Sequence, residues 1–169
     1  MTLDIDIDSA WPEDTDWAVL ASRAAQAAAN LVPELGHPRI EVSLIFTGDA
    51  EIRQLNHAWR GKDQATNVLS FPMLERGDLL ALVHDGPPVL LGDIALACET
   101  CGREAHTKRV SVADHAAHLI IHGLLHLAGH DHERSPDDAE AMEALEIKAL
   151  ASLGIADPYA PGPHEGGQD

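Results

Sequence analysis

Four histidines lie within eleven residues of otherwise apolar sequence, HGLLHLAGHDH, which runs from His122 to His132. On a helix, residues four apart share a face and lie about 6 Å apart along the axis, so His122 and His126 can present their rings to one ion. Gly129 permits the left-handed backbone that ends a helix, which turns His132 back toward the other two rings. The spacing therefore predicts three imidazoles that converge on one metal ion.

The alternative is that these are ordinary histidines with backbone hydrogen bonds. An unpaired imidazole on an apolar helix costs about 1–3 kcal/mol of desolvation, which coordination removes. Three imidazoles without a thiolate favour one zinc ion of the catalytic kind, with a fourth position for water. His118 lies about 12 Å from His126 on the same stripe, so it belongs to the periphery of the site or to the packing. We expect the far nitrogens of the zinc histidines to contact Asp114, Asp131 or Glu133.

The spacing of the three histidines and Gly129 matches the metzincin pattern HExxHxxGxxH except at its second position. In that pattern the second residue is the glutamate that serves as general base, whereas here it is Gly123, which has no side chain. A zincin-type metalloprotease therefore remains as an alternative that the ligand spacing favours and Gly123 opposes.

The two cysteines, Cys98 and Cys101, are too few for a disulfide framework and suit a reducing compartment. Their spacing leaves a metal or redox role open, beside the simpler interpretation as buried free thiols. The N-terminal residues are acidic where a secretory signal is basic, and no apolar stretch reaches membrane length. We expect a cytoplasmic protein without a membrane partner.

The formal charge of −17, from 28 acidic and 11 basic residues, repels polyanions at long range and argues against a general nucleic-acid coat. It does not exclude a nuclease, because a bound dication and a few clustered bases can make one cleft locally positive. The densest such group is Arg53, His57, Arg60 and Lys62. The alternative is that these are scattered solubilising charges.

The elements that must position these residues alternate along the chain. Periodicity and turn signals predict strands at 3–7, 39–47, 68–71 and 89–97, and helices at 15–31, 49–60, 99–107, 112–128 and 136–153. This order predicts an α/β (α+β) fold in which about five helices pack on one small mixed sheet of about four strands.

Two segments carry separate expectations. Pro72 predicts that the third strand lies at the edge of the sheet, and the following residues 73–88 are either a hairpin arm or a mobile flap. We expect a single domain over residues 1–155 and a disordered tail over residues 156–169.

The stretch HGLLHLAGHDH resembles the HGxLHLxGYDH signature of the bacterial YbeY family, single-strand-specific endoribonucleases of ribosomal RNA maturation. Further blocks resemble the family in the same order: LNHAWRGKDQATNVLSFP is similar to LNxxYRxKDxPTDVLSFP, and LLGDIALACE is similar to LGDIxIxxE. Residues 140–159 are similar to the family's closing helix. Asn67 stands where the family usually has aspartate, and His130 replaces the usual tyrosine.

The resemblance implies one Zn²⁺ at His122, His126 and His132 on a zincin-like helix, and a functional arginine at Arg60 in the same cleft. We expect zinc to polarise a phosphoryl oxygen or to lower the pKa of its bound water, while Arg60 holds the phosphate. Alternatively, Arg60 only ties down the loop before the edge strand.

The resemblance also implies a substrate and partners: single-stranded ribosomal RNA rather than DNA, and the small ribosomal subunit with its proteins. Because the net charge disfavours free RNA, we expect an assembly to present the substrate. A third possibility is a non-catalytic, zinc-stabilised factor that assists ribosome assembly by binding alone.

Overall fold

The computed structural model describes residues 1–130 and 135–160. These ranges contain four strands and six α-helices, with a 3₁₀ turn at Pro33–Gly36. In chain order the elements are β1 (Thr2–Ile7), α1 (Trp17–Leu31), β2 (Ile40–Thr47), α2 (Asp49–Arg60), β3 (Val68–Pro72), α3 (Arg76–Ala81), β4 (Val89–Ala97), α4 (Cys98–Lys108), α5 (Val112–Leu127) and α6 (Pro136–Ser152). The predicted α/β fold with one small mixed sheet is confirmed.

The sheet has the order β1-β2-β4-β3. Strands β1, β2 and β4 run parallel, and β3 pairs antiparallel with β4 at the edge. Pro72 ends that edge strand, as expected for a residue that cannot donate to a ladder. Strand β3 therefore lies at one edge of the sheet, where helices on either face can contact it.

Helices cover both faces of the sheet. On one face α5 packs against β3 and β4, with α1 and α6 beside it. On the other face α2 packs its buried Ile52 with Leu69 and Ala95 in a smaller apolar cluster. Because side chains alternate along a strand, Leu69 faces α2 and Ser70 faces α5. The edge strand thus lies between the histidine helix and α2.

The ends of the long helices follow the sequence signals. The Ser135 hydroxyl accepts a hydrogen bond from the backbone N–H of Asp138 at 3.0 Å, and Pro136 occupies the first turn of α6. Gly129 follows α5 with a φ of 102°, which lies in the region that glycine adopts without strain. Gly129 therefore has the positive φ that the sequence predicts at the end of this helix.

Residues 73–88 do not form a hairpin arm, because they contain the helix α3. Leu79 is buried in the main core and holds this helix against the body. Arg76 Nη1 donates to the Ala128 carbonyl oxygen at 2.7 Å and lies 2.8 Å from Glu34 Oε2. The segment thus braces the turn after α5, through contacts that the local sequence pattern does not reveal.

The predicted tail is described only in part. Tyr159, three residues beyond its expected start, contacts His118 and Glu146, so the packed chain extends further than residue 155. Residues 161–169 of that tail lie outside the described residues. Within residues 1–130 and 135–160, no helix combines the length and apolarity needed to cross a bilayer.

Candidate metal centre

The histidine helix is α5, which begins at a Ser111 cap and runs through the core. His115 and His118 are buried on it, and His122 and His126 are half-buried toward its C-terminal end. These four follow one another at spacings of three, four and four, so they form one stripe along the helix. The predicted pair His122 and His126 therefore shares a face, whereas His132 lies outside the described residues.

Ser70 on the edge strand contacts His126. The serine Oγ lies 2.6 Å from His126 Nδ1, and Ser70 itself is only 8% exposed. The contact fixes the ring orientation of His126 relative to the sheet, and it directs Nε2 away from Ser70 because the two ring nitrogens point in different directions.

Glu146 on α6 holds two of the other histidines. Its Oε2 accepts from His122 Nδ1 at 2.7 Å and its Oε1 accepts from His118 Nε2 at 2.7 Å. The Tyr159 hydroxyl donates to the same Oε1 at 2.5 Å. Burial by itself raises the pKa of the Glu146 carboxyl, but the hydrogen bonds from His118, His122 and Tyr159 outweigh it and lower the pKa to about 2. Glu146 is therefore a buried carboxylate that is shared by two rings and a phenol.

The donor set fits a metal ion at the far end of the two rings. Metal-ligating histidines characteristically hydrogen-bond an oxygen through the second ring nitrogen, which fixes the tautomer and makes the ligand more basic. His122 and His126 both make such a bond through Nδ1, so each would coordinate through Nε2. Imidazole nitrogen is a ligand that zinc prefers.

The described residues supply only part of the predicted ligand set. Within residues 1–130 and 135–160, no group of three or more histidine, cysteine, aspartate or glutamate side chains is placed to hold a metal ion. The third predicted ligand, His132, falls in the range 131–134, as do Asp131 and Glu133. At His122 and His126 the nitrogen Nδ1 contacts Glu146 and Ser70, respectively, in place of the expected Asp114, which lies about two turns before His122 on α5.

Arg60 lies at the C-terminal end of α2, on the opposite side of the edge strand. Its Nη2 donates to the Ser70 carbonyl oxygen at 2.9 Å, and its guanidinium carbon lies 5.5 Å from the centre of the Phe71 ring. Ser70 therefore contacts Arg60 through its carbonyl and His126 through its hydroxyl. The guanidinium has five N–H donors, of which this contact uses one.

Gly123 lies between the two histidines on the side of α5 that faces the sheet. A Cβ built on it would come 3.0 Å from the Cδ1 atom of Ile94 in β4. The position is buried against the strand, so a side chain there would enter the sheet interface and not the candidate metal centre. The missing glutamate of the metzincin pattern thus reflects close helix–sheet packing.

Asn67, one of the two residues that depart from the family pattern, belongs to a second polar group. Its Nδ2 donates to Glu104 Oε1 at 2.9 Å, and the same oxygen lies 2.7 Å from Nε2 of the buried His115. Burial raises the pKa of the Glu104 carboxyl, but the hydrogen bonds from His115 and Asn67 outweigh it and leave the pKa below its usual range. An aspartate at position 67 would place a second carboxylate beside Glu104, so the amide suits this site.

The two cysteines are free thiols. Cys101 is buried, and burial raises the pKa of its thiol to about 12. Burial also raises the pKa of the Cys98 thiol, and each sulfur donates to a backbone carbonyl oxygen, of Ala10 for Cys98 and of Asn67 for Cys101. A protonated thiol is a poor metal ligand and a poor nucleophile, which supports the interpretation as structural residues.

Glu146, Ser70 and Tyr159 are parts of the site that the sequence reasoning missed. Glu146 does leave a signal, because it lies on the same helical stripe as the buried Met142, Ala149 and Leu150, where an unpaired carboxylate would be costly. Ser70 leaves only a weak signal, as the one polar residue of a short apolar strand. Tyr159 leaves none, since it follows the last helix in a turn-rich segment.

Comparison with known proteins identifies the family. The family model described as "Endoribonuclease YbeY" matches residues 8–154. A relative of that name from Erythrobacter litoralis is 57% identical over 94% of this chain and 98% of its own, and one from Novosphingobium aromaticivorans is 55% identical over 94% and 95%. The solution structure of a Thermotoga maritima protein shares the fold, with a TM-score of 0.57 and 22% identity over 97% of this chain and 99% of that one. A match along most of the chain shows that it belongs to the endoribonuclease YbeY family.

Proposed function

We propose that this chain is a zinc-dependent endoribonuclease that cleaves single-stranded ribosomal RNA and that His122, His126 and His132 bind one zinc ion. The observation that carries the proposal is the pair of hydrogen bonds that join Nδ1 of His122 to Glu146 and Nδ1 of His126 to Ser70. Histidines held in this way are preorganised to present Nε2 to a cation. The endoribonuclease activity comes from the family to which the chain belongs.

A zinc ion bound there would supply Lewis-acid activation of a phosphoryl oxygen. The chain's own contribution is to hold the ligands rigidly. Glu146 is anchored in α6 and Ser70 in β3, so the two rings are fixed by elements on either side of α5. This rigidity favours catalysis, because positioned groups need no reorganisation when the reaction begins.

Arg60 is proposed to bind the phosphate of the substrate. A guanidinium can contact two phosphate oxygens and stabilise charge that develops on them. Its hydrogen bond goes to Ser70, the same edge-strand residue that contacts His126. The same bond also restrains the edge strand, so the phosphate role and the tethering role must be separated by experiment.

An assembly is proposed to present the RNA. The formal charge of −17 opposes long-range attraction of a free polyanion. A partner that is already bound to the RNA, such as the small ribosomal subunit and its proteins, removes that barrier by positioning the strand locally. The family resemblance implies the proposed setting, which is ribosomal RNA maturation and ribosome quality control in the cytoplasm.

The function is tested with three labelled substrates incubated with the purified chain: a single-stranded RNA, the same RNA in a duplex, and an unstructured protein. We expect cleavage of the single strand alone, its loss in chelator and its return with added zinc. Cleavage of the protein would favour the metalloprotease, which the position of Gly123 against Ile94 opposes. Absence of any cleavage, together with unimpaired ribosome assembly, would favour the purely scaffolding alternative.

Replacing Arg60 with alanine separates its two candidate roles. If the guanidinium binds phosphate, cleavage falls by about 10²- to 10³-fold while the midpoint of thermal unfolding stays within a few degrees, and guanidinium ion added at millimolar concentration restores part of the rate. Arg103→Ala is the matched control, because Arg103 is an exposed arginine that bonds Asp49 and Thr100 instead. Unchanged cleavage by Arg60→Ala would eliminate the phosphate role.

A further inference from the structure

Trp59, next to Arg60 in the last turn of α2, is a large aromatic side chain that the fold leaves in solvent. It follows the buried Ile52 and Asn56 on the same stripe of the helix, yet it is 73% exposed. The other two tryptophans, Trp11 and Trp17, are only 2% and 4% exposed and pack edge-to-face on one another. Trp59 thus lies on the buried stripe of the helix but keeps its ring exposed to solvent.

The backbone around Trp59 is held firmly. Gly61 ends α2 in the left-handed conformation, with a φ of 69°, and the Asn56 side chain donates to the Gln64 carbonyl oxygen at 2.9 Å. Arg53 also forms a two-point salt bridge with Asp63 across the same turn. A ring on a fixed helix end loses little conformational freedom when a ligand stacks on it, which favours binding.

The residues that flank Trp59 in the sequence carry more basic than acidic side chains, in contrast to the whole chain. Residues 53–64 contain three basic side chains, Arg53, Arg60 and Lys62, and one acidic one, Asp63, in a chain of formal charge −17. Arg60 and Lys62 are exposed, and Arg60 lies over the Phe71 ring. An aromatic ring beside exposed cations is the combination that recognises an unpaired nucleotide, whose base stacks and whose phosphate carries charge.

We infer that Trp59 is a stacking platform for an unpaired base of the RNA substrate, next to the phosphate that Arg60 holds. The inference rests on the proposed endoribonuclease function. Its occupant is an RNA strand with accessible base faces, so a duplex, whose bases are already stacked, cannot use the platform. Stacking also gives affinity that the net charge of −17 does not oppose, because the base itself is uncharged.

The test measures binding and cleavage separately. Dissociation constants for a labelled, unstructured RNA oligonucleotide are measured by fluorescence anisotropy, in chelator so that the RNA is not cleaved. A gel confirms that the RNA keeps its full length. Trp59→Ala is expected to weaken binding about 5- to 150-fold at every salt concentration, with the same salt slope as the wild type. Trp59→Phe, which keeps a ring, is expected to stay within about 3-fold of the wild type. Val19→Ala on α1 removes another exposed apolar side chain and serves as the control.

The emission of Trp59 gives a direct reading of the contact. Because Trp11 and Trp17 are buried, the oligonucleotide should quench and shift only the solvent-exposed component, and that component should be absent from Trp59→Phe. An unchanged dissociation constant in Trp59→Ala, failure of phenylalanine to rescue, or no quenching up to millimolar oligonucleotide would overturn the inference. Trp59→Ala that binds RNA normally but no longer binds a ribosomal protein would also overturn it, and would assign the platform to a protein partner.

Cleavage by the wild type and the behaviour of Trp59→Ala distinguish failure of the proposed function from failure of the stacking platform. If the wild type cleaves RNA and Trp59→Ala does so with the same KM, the stacking inference is wrong and the proposed function stands. If the wild type cleaves nothing but binds single strands through Trp59, the proposed function is wrong and the platform stands.

Discussion

Replacing His126 with alanine is expected to lower the rate of RNA cleavage by more than about 10³-fold, which corresponds to about 4 kcal/mol of transition-state stabilisation. The substitution removes one of the three proposed zinc ligands and leaves Ser70 without the ring that its hydroxyl contacts. A site with two imidazoles holds zinc far more weakly than one with three, so added zinc should restore little activity.

The control for this variant is His106→Ala. His106 is an exposed histidine near the end of α4, and its removal should leave cleavage unchanged. All three chains are measured in chelator, because bound metal would stabilise any chain that binds it. Under these conditions both variants should unfold within a few degrees of the wild type. A scaffolding protein behaves differently: His126→Ala would then support ribosome assembly as long as it folds. Cleavage by His126→Ala near the wild-type rate would contradict the proposed site.

Replacing Glu146 with glutamine is expected to weaken zinc binding about 10- to 100-fold and to destabilise the metal-free chain by about 1–3 kcal/mol. The carboxylate accepts from His118 and His122 through different oxygens. An amide keeps only one acceptor oxygen. Its NH₂ group takes the place of the second oxygen, where it faces a ring N–H that also needs an acceptor. His122 then loses its fixed tautomer, although Glu146 is not one of the proposed ligands.

Glu140→Gln is the matched control, because Glu140 is an exposed carboxylate on the same helix and its substitution changes the net charge equally. Zinc affinity is measured by competition with a chromophoric chelator, and stability by urea unfolding of the metal-free chains. If Glu146→Gln loses stability and binds zinc as tightly as the wild type, Glu146 is a purely structural residue and its positioning role is wrong.

The sequence predicted the elements that carry strong periodicity or clear caps. The histidine helix, the Ser135 cap of α6 and the edge position of β3 are all confirmed. Each depends on short-range signals, such as an apolar stripe, a capping serine or a proline that cannot donate. The pair His122 and His126 belongs to the same class, because a spacing of four on a helix fixes a shared face.

The features that the sequence did not predict depend on contacts between residues far apart in the chain. Helix α3 forms where Leu79 reaches the core and Arg76 reaches the carbonyl of Ala128, neither of which a local pattern contains. In the site, Glu146 and Ser70 come from α6 and β3, 24 and 56 residues from the histidines that they contact. Spacing indicated that His122 and His126 share a face, but only the packing of three elements shows which residues hold them.

The most direct test of the central claim is the zinc stoichiometry of the purified full chain, determined by titration of metal-free protein with zinc. The account predicts one tight site per chain in the wild type, and its loss in each of His122→Ala, His126→Ala and His132→Ala. A chain that binds no zinc, or one whose tight site survives all three substitutions, would contradict it.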